Sequence, residues 1–383
     1  MPTGVVSLTS DLARKKWMWE GLLQKKATSF WSEYSGLTKD SIVFQTNNES
    51  AGDGHTVVFD FDGNLAGKAI KGKTTAYGKG EQKKKFSDKI TVERYRLVVD
   101  NGDRFDAVNI GDLSIDQHSD SRSKLADLFI RFKDQALYDT AQGFKDGVAP
   151  SHTIQIDASV TKLAYSDLVN IEKILRTGTG YMTGVFGSAV AAPQRAPLQP
   201  YRLADGRSIW LLVVDPFTAA NLKGNSTANS GIMAMAQTAD LRGDKNRVFR
   251  GLIGRVGQLV IVEAEAFFGS TTANTLDGSE IEIAGMRQYD SVNTAWSGEA
   301  AFAGAVYSRN LILGAGAMML AFGKQPDYKF QVSEDFGIKS ESAVEFWMDT
   351  KKTKLVAESG GDYKAAKKAN LDYGVIPVDV KIA

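Results

Sequence analysis

Residues 57–74 hold two patterns whose residue types and spacing suit phosphate chemistry. In the first, Val57-Val58-Phe59 leads into Asp60-Phe61-Asp62-Gly63-Asn64-Leu65. An apolar strand of this kind can deliver Asp60 as a nucleophile, with Asp62 two residues on as acid/base. Gly111-Asp112-Leu113-Ser114-Ile115-Asp116 would then add acidic residues able to hold magnesium. In the second, Gly67-Lys68-Ala69-Ile70-Lys71-Gly72-Lys73-Thr74 has the spacing of a loop whose amides cradle phosphates. Trp210–Asp215 supplies the apolar strand ending in an acid that usually accompanies such a loop. Other chemistries are absent from the composition. There is no cysteine, which removes thiolate nucleophiles, disulfides and thiolate metal sites. The three histidines, His55, His118 and His152, are too scattered in sequence to suggest a shared metal.

Both phosphate chemistries need elements that hold their groups in place, and the flanking sequence does not provide them. The first pattern resembles the opening motif of haloacid-dehalogenase-type phosphatases, which require a parallel sheet with helices between motifs. Between Asp62 and Asp112 lie a Lys/Gly loop and an alternating strand, and Asn64 stands where that family has Thr or Val. The second resembles the P-loop of NTPases, in which the final Thr opens a helix whose first amides hold the phosphates. Thr74 is followed by Thr75-Ala76-Tyr77-Gly78-Lys79-Gly80, and each Gly in a helix costs ~1 kcal/mol relative to Ala. Overlapping in one short window, the two motifs read as coincidences of a Gly/Lys-rich stretch. The Arg242-Gly243-Asp244 tripeptide is set aside because three residues carry little specificity. No cofactor and no metal are expected.

The chain has 383 residues, 43% of them hydrophobic and 24% charged, enough for a large core or two intertwined domains. Its 46 basic and 45 acidic side chains leave a net charge of +1, which argues against a protein devoted to gripping nucleic acid. Near-neutrality does suit a wall that holds like copies together around a polyanion. The polar start of the chain and the lack of any run of ~18 apolar residues predict a soluble intracellular product without a membrane span.

Residues 11–34 cluster Arg14, Lys15, Lys16, Lys25 and Lys26 with Trp17, Trp19, Phe30 and Trp31, which reads either as an N-terminal helix packing its aromatics on a neighbouring surface or as an arm that docks on another subunit. Val57, Phe59 and Phe61 alternate as a half-buried strand, and Ile90 and Val92 begin a second one. Tyr95, Leu97 and Val99 continue in the opposite phase, predicting a bulge near Glu93–Arg94. Between the strands, residues 62–89 carry eight lysines against three carboxylates. Loops above ~12–15 residues usually serve a function, and this one cannot form a core of its own. Leu125, Leu128, Phe129, Phe132 and Ala136 form one stripe and predict a helix over 121–142, with Asp120 or Ser121 as cap and Gly143 as stop. A second helix is predicted at 166–176. Ile209–Val214 and Leu252–Val262 read as strand regions, Tyr307–Phe322 as a buried helix, and Val344–Met348 and Val375–Ile382 as strands. The order lacks a βαβ rhythm, so the fold class is α+β.

Taken in order, these pieces resemble the major capsid proteins of tailed double-stranded DNA bacteriophages. The branch is that of the N4-like phage coat protein, with the Hong Kong 97-type fold. The resemblance runs from Trp17-Met18-Trp19-Glu20 through the hairpin and Asp127–Leu137 to Trp210–Pro216. It continues over Phe249–Gly254, Arg309–Ala317 and Asp372–Ile376. It implies an N-terminal arm (1–51), an extended β-hairpin loop (52–105), a peripheral domain with a spine helix (106–160, completed by 335–383) and an axial domain (161–334). Copies would form pentamers and hexamers of an icosahedral shell, with portal, scaffolding and decoration proteins as partners and packaged DNA on the inner face. Assembly would take place in the host bacterial cytoplasm and the product would reside in the virion. The expected contacts between subunits are Trp17, Trp19, Trp31, Lys68, Lys71, Lys73, Lys83, Lys84 and Lys85. Some relatives join a loop lysine to a neighbour's asparagine; no such cross-link is expected here. The alternatives to a coat protein are the two phosphate enzymes and a minor phage structural protein.

If the stripe of the long helix is core, Phe129→Ala and Phe132→Ala each cost ~3–5 kcal/mol in denaturant unfolding. A much smaller loss at both sites would mean that the stripe is not buried.

Overall fold

The computed structural model describes residues 29–38, 40–47, 55–63, 69–80, 84–103, 109–110, 113–114, 117–145, 154–155, 163–177, 184–185, 198–203, 206–224, 252–264, 283–290, 306–323, 326–332, 339–354 and 372–381. A 3-10 turn (Trp31–Glu33) precedes β1 (Ser35–Gly36), β2 (Val43–Asn47), β3 (Thr56–Gly63), β4 (Lys84–Thr91), β5 (Glu93–Asp103), β6 (Asn109–Ile110) and β7 (Leu113–Ser114). Then come helix α1 (Gln117–Gln142), β8 (Ile154–Gln155), α2 (Tyr165–Thr177), β9 (Gly184–Val185), β10 (Tyr201–Arg202), β11 (Ser208–Val214) and α3 (Pro216–Gly224). The last strands are β12 (Leu252–Val256), β13 (Leu259–Glu263), β14 (Gln288–Asp290), β15 (Val306–Leu313), β16 (Met318–Phe322), β17 (Asp327–Val332), β18 (Lys339–Lys352) and β19 (Val375–Lys381).

A nine-stranded sheet runs β12-β13-β11-β15-β19-β8-β9, with β10 added to β11 and β14 to β15. Its central strands are apolar on both faces because both faces are covered. Along β11, Ile209, Leu211 and Val213 enter one core, while Trp210, Leu212 and Val214 enter another. Helices α2 and α3 close the second core with Leu168, Ile171, Leu175, Ala219 and Leu222. The first core is shared with α1 and with a six-stranded sheet, β1-β2-β16-β18-β17 with β5 along β18. There Phe346 takes Phe129 and Phe132 at ring distances of 4.7 and 5.4 Å. The two sheets therefore share one continuous core.

Helix α1 has 26 residues, about 39 Å at 1.5 Å per residue. It starts at Gln117, so Asp120 and Ser121 lie inside the helix instead of capping it. Its end is as expected: Gly143 takes φ 82°, and the Phe144 amide donates to the Asp139 carbonyl at 2.7 Å. With the Gly143 amide on the Thr140 carbonyl at 3.2 Å, this is a Schellman closure.

Several expectations need correction. Tyr307–Phe322 is not one helix but β15, a turn and β16, crossing from the nine-stranded sheet to the six-stranded one. A strand buried on both faces has the same continuous apolar run as a buried helix, and Gly314 and Gly316 mark the break. The opposite phase of Tyr95–Val99 is no bulge at Glu93–Arg94. It arises at Val92, where the chain leaves its pairing with β3 and starts pairing with β18. Part of the arm (β2) and of the extended loop (β5) belong to the six-stranded sheet, as does β16 from the expected axial region. β19, expected with the peripheral strands, is instead central to the nine-stranded sheet.

The crossing needs small residues. A Cβ on Gly374 would stand 2.3 Å from the Ala317 Cα, and one on Gly314 would stand 2.3 Å from the Gln199 carbonyl oxygen. Gly374→Ala therefore destabilises the chain by ~1–3 kcal/mol, read as a lower denaturant midpoint with an unchanged slope. An unaltered midpoint would show that the junction has room to spare.

Candidate assembly surface

The hairpin β3–β4 starts from an alternating sequence that must hide one face. Its register pairs Thr56 with Thr91, Phe59 with Asp88 and Gly63 with Lys84. Phe59, Ile90 and Val92 are buried against Met319, Ala321 and Trp347, with Phe44 and Val57 packed beside them. The Phe59 ring meets Phe44 edge-on at 5.4 Å. The loop between the strands cannot form a core of its own, yet the hairpin has a partner in its own chain. Its base lies on the face of the six-stranded sheet opposite α1.

Beyond the base, residues 69–80 are exposed throughout. Gly72 (φ 73°) and Gly78 (φ 78°) supply two turns that other residues adopt only with strain. Tyr77 is 95% exposed and Ile70 is 40% exposed, with Lys71, Lys73 and Lys79 among them. Lys84 and Lys85 belong to β4, not to the loop, and their side chains lie outside the described residues. Lys68 and Lys83, and Trp17 and Trp19 of the arm, also lie outside them.

The same geometry places the enzyme-like residues. Asp60 is an exposed position on a two-stranded antiparallel ribbon, not the end of a parallel strand. Thr74 sits in an irregular stretch and opens no helix. Among the described residues no three acidic or histidine side chains converge as a metal set, and no helix is long and apolar enough to cross a membrane.

Trp31, expected as a contact with a neighbour, is fully buried in its own subunit. It meets Tyr138 of α1 at 5.0 Å and Phe30 at 5.3 Å between ring centroids. Asp134 of α1 fixes this entry point by accepting from the Ser29 hydroxyl and the Phe30 amide, each at 2.7 Å. Burial raises the Asp134 carboxyl above its ordinary pKa, with the Ser29 hydrogen bond opposing. An aromatic after a basic stretch reads alike whether it faces inward or outward, so the sequence held no sign of this burial.

A buried polar network joins the end of α1 to the nine-stranded sheet. Arg287 forks onto Asp139, Nε to Oδ1 at 2.7 Å and Nη2 to Oδ2 at 3.0 Å. Arg309 forks onto Asp379 in the same way, at 2.8 and 2.7 Å. Gln142 lies between the two forks. It donates to the Arg287 and Arg309 carbonyls at 2.9 and 3.0 Å and accepts from the Arg287 amide at 2.9 Å. Gln135 adds a bond to Asp139 at 2.7 Å and accepts from the Gly285 amide at 2.9 Å. Nearby, Lys352 and Asp372 form a third buried pair at 3.4 Å. Burial pushes the Lys352 ammonium down to about 8 while Asp372 pulls the other way.

A single subunit thus has a braced body and a basic, aromatic tip standing away from it. Residues 6–383 match the sequence model of a family described as phage capsid protein. The chain belongs to that family. No curated protein matches it. In fold, this capsid protein is similar to the capsid of Ralstonia phage GP4, with a TM-score of 0.66 at 18% identity over 93% of this chain and 92% of that one. It is similar to the head structure of Helicobacter pylori bacteriophage KHP40, at 0.63 and 16% over 93% and 91%. The cyanophage Pam1 capsid follows at 0.58 and 14%, over 99% of each chain. The α+β fold is therefore that of phage capsid proteins, and the chain is a structural component of the virion shell.

Sequence reading missed Asp88 and the network residues of this capsid protein. The available signal was a charge set inside an apolar alternation: Asp88 before Ile90 and Val92, and Asp379 between Val378 and Val380. Removing one member of a buried ion pair strands the other, so Asp379→Ala lowers stability by ~3–5 kcal/mol. Breaking the exposed Lys223–Glu263 pair by Lys223→Ala changes it by ~1 kcal/mol or less. Denaturant unfolding of both variants checks the contrast; equal losses would mean that the network does not brace the fold.

Proposed function

We propose that this protein is the major coat protein of an icosahedral phage head, assembling as pentamers and hexamers around double-stranded DNA. The observation that carries the reading is the hairpin, packed at its base and bare at its tip. An aromatic side chain buries ~150–250 Å² when covered, worth ~4 kcal/mol or more at ~25 cal/mol per Å². Tyr77, 95% exposed in the free subunit, leaves that gain to a neighbouring copy. Each subunit then gives one tip and receives another, a head-to-tail contact that closes into rings. Lys68, Lys71, Lys73, Lys83, Lys84 and Lys85 are the basic residues proposed for contacts between subunits, with Trp17 and Trp19 of the arm.

The ordered pieces quoted above favour the N4-like branch. A portal, a scaffolding protein and a decoration protein complete the assembly, which takes place in the host bacterial cytoplasm with DNA against the inner face. The role is structural, not catalytic: Asp60 lies on a two-stranded antiparallel ribbon, without the parallel sheet end that its chemistry requires.

Negative-stain microscopy of the purified chain tests the reading. Capsomers, tubes or shells are expected. Replacing residues 64–83 by an Asn-Gly turn, which suits a two-residue hairpin, is expected to keep the cooperative thermal transition and abolish assembly. A monodisperse monomer or dimer hydrolysing a generic phosphoester, with the activity lost in Asp60→Asn, would overturn it.

A further inference from the structure

Asp88 is a nearly fully buried carboxylate in a strand otherwise rich in lysine. It faces the body of the subunit, opposite Phe59. Its Oδ1 accepts from Lys351 Nζ at 2.5 Å and from the Lys89 amide at 2.8 Å. Its Oδ2 accepts from the Lys354 amide at 3.2 Å. Lys351 Nζ also donates to the Lys89 carbonyl at 2.9 Å, so one ammonium holds both the side chain and the backbone of β4.

The far side of this clamp is tied into the body of the subunit. Lys351 and Lys352 are consecutive on β18 and point to opposite faces: Lys351 to the hairpin, Lys352 into the buried pair with Asp372. The next amide, that of Thr353, donates to the Ala317 carbonyl at the crossing between the sheets. Asp88 thus ties the hairpin to the point where the two sheets meet. Without it, what joins β4 to the body is the Lys351 ammonium on the Lys89 carbonyl, the chain itself at Val92, and the apolar base, which resists sliding and tilting weakly because it is non-directional.

Tilt matters because the hairpin is a lever. The eight residues of β4 span ~26 Å at about 3.3 Å each, so a tilt of about 10° moves the far end by ~4–5 Å. A displacement of that size takes a tip contact out of register, and the error repeats at every copy.

We propose that Asp88 is a positioning residue: its clamp on Lys351 and Lys354 sets the angle of the hairpin within the free subunit, before any neighbour is met. The particle readout below rests on the shell reading; the distance readout does not. Since the chain has no cysteine, spin labels can be placed on the full chain with Asp60→Cys on the hairpin and Ser123→Cys on α1. Electron–electron distance measurements at a concentration below assembly are expected to give one narrow distribution in the Asp88 parent. In Asp88→Asn and in Lys351→Met the distribution is expected to broaden or move by several ångströms. The thermal midpoint should stay close to the parent in Asp88→Asn and fall in Lys351→Met, which leaves the buried Asp88 carboxylate without its ammonium, and assembly should give fewer or irregular particles in both. Narrow, unshifted distributions in both folded variants would overturn the proposal, as would global unfolding of Asp88→Asn, which would make Asp88 a residue of core stability. If the parent forms no particles but the variants broaden, the shell reading fails and the positioning role stands.

Discussion

The structure depends on the buried network where α1 ends. Arg287 and Asp139, Arg309 and Asp379, and the amide of Gln142 between them meet with almost no exposed surface. Removing an ion from water costs several kcal/mol even after relaxation, and the pairing repays it only when every bond is well formed. The two forked contacts meet that condition at 2.7–3.0 Å. A core of Leu and Val tolerates small slides of one layer over another; two guanidinium forks and a bridging amide do not. The helix and the nine-stranded sheet are thereby fixed in one relative arrangement. A shell is built by repeating one subunit, so an angular error in that subunit is multiplied. Rigidity of the body is the property such a unit needs most.

Set against that body, the hairpin divides its labour along its length. Near Val92 it belongs to its own chain, packed on Trp347, Met319 and Ala321 and held by Lys351. Near Tyr77 it is bare, with glycines at both turns and lysines around the ring. The same strand reads as apolar alternation at one end and as low-complexity Gly/Lys at the other. This is why the window 57–74 imitates two phosphate motifs: a buried strand running into a basic glycine loop is also how phosphate sites are often written.

Much of this was legible in sequence wherever one local rule decides. The stripe Leu125–Ala136 and Gly143 gave α1 and its end, and the alternation at Val57–Phe61 gave β3. The run Ile209–Val214 gave β11. What was not legible depends on partners far away in the chain. Asp88 meets Lys351 across 263 residues, and Arg309 meets Asp379 across 70. The β15–β16 crossing was misread because burial on both faces erases the period of two that separates a strand from a helix. Trp31 was placed outside because an arm and a core anchor share the same composition.

The central claim is that the exposed tip becomes an interface only when copies assemble, while the braced body does not change. Hydrogen exchange measured on free subunits and on assembled particles tests it directly. The account predicts strong new protection over residues 69–80 in particles, with residues 135–142 of α1 equally protected in both states. Equal, fast exchange of residues 69–80 in both states would contradict it.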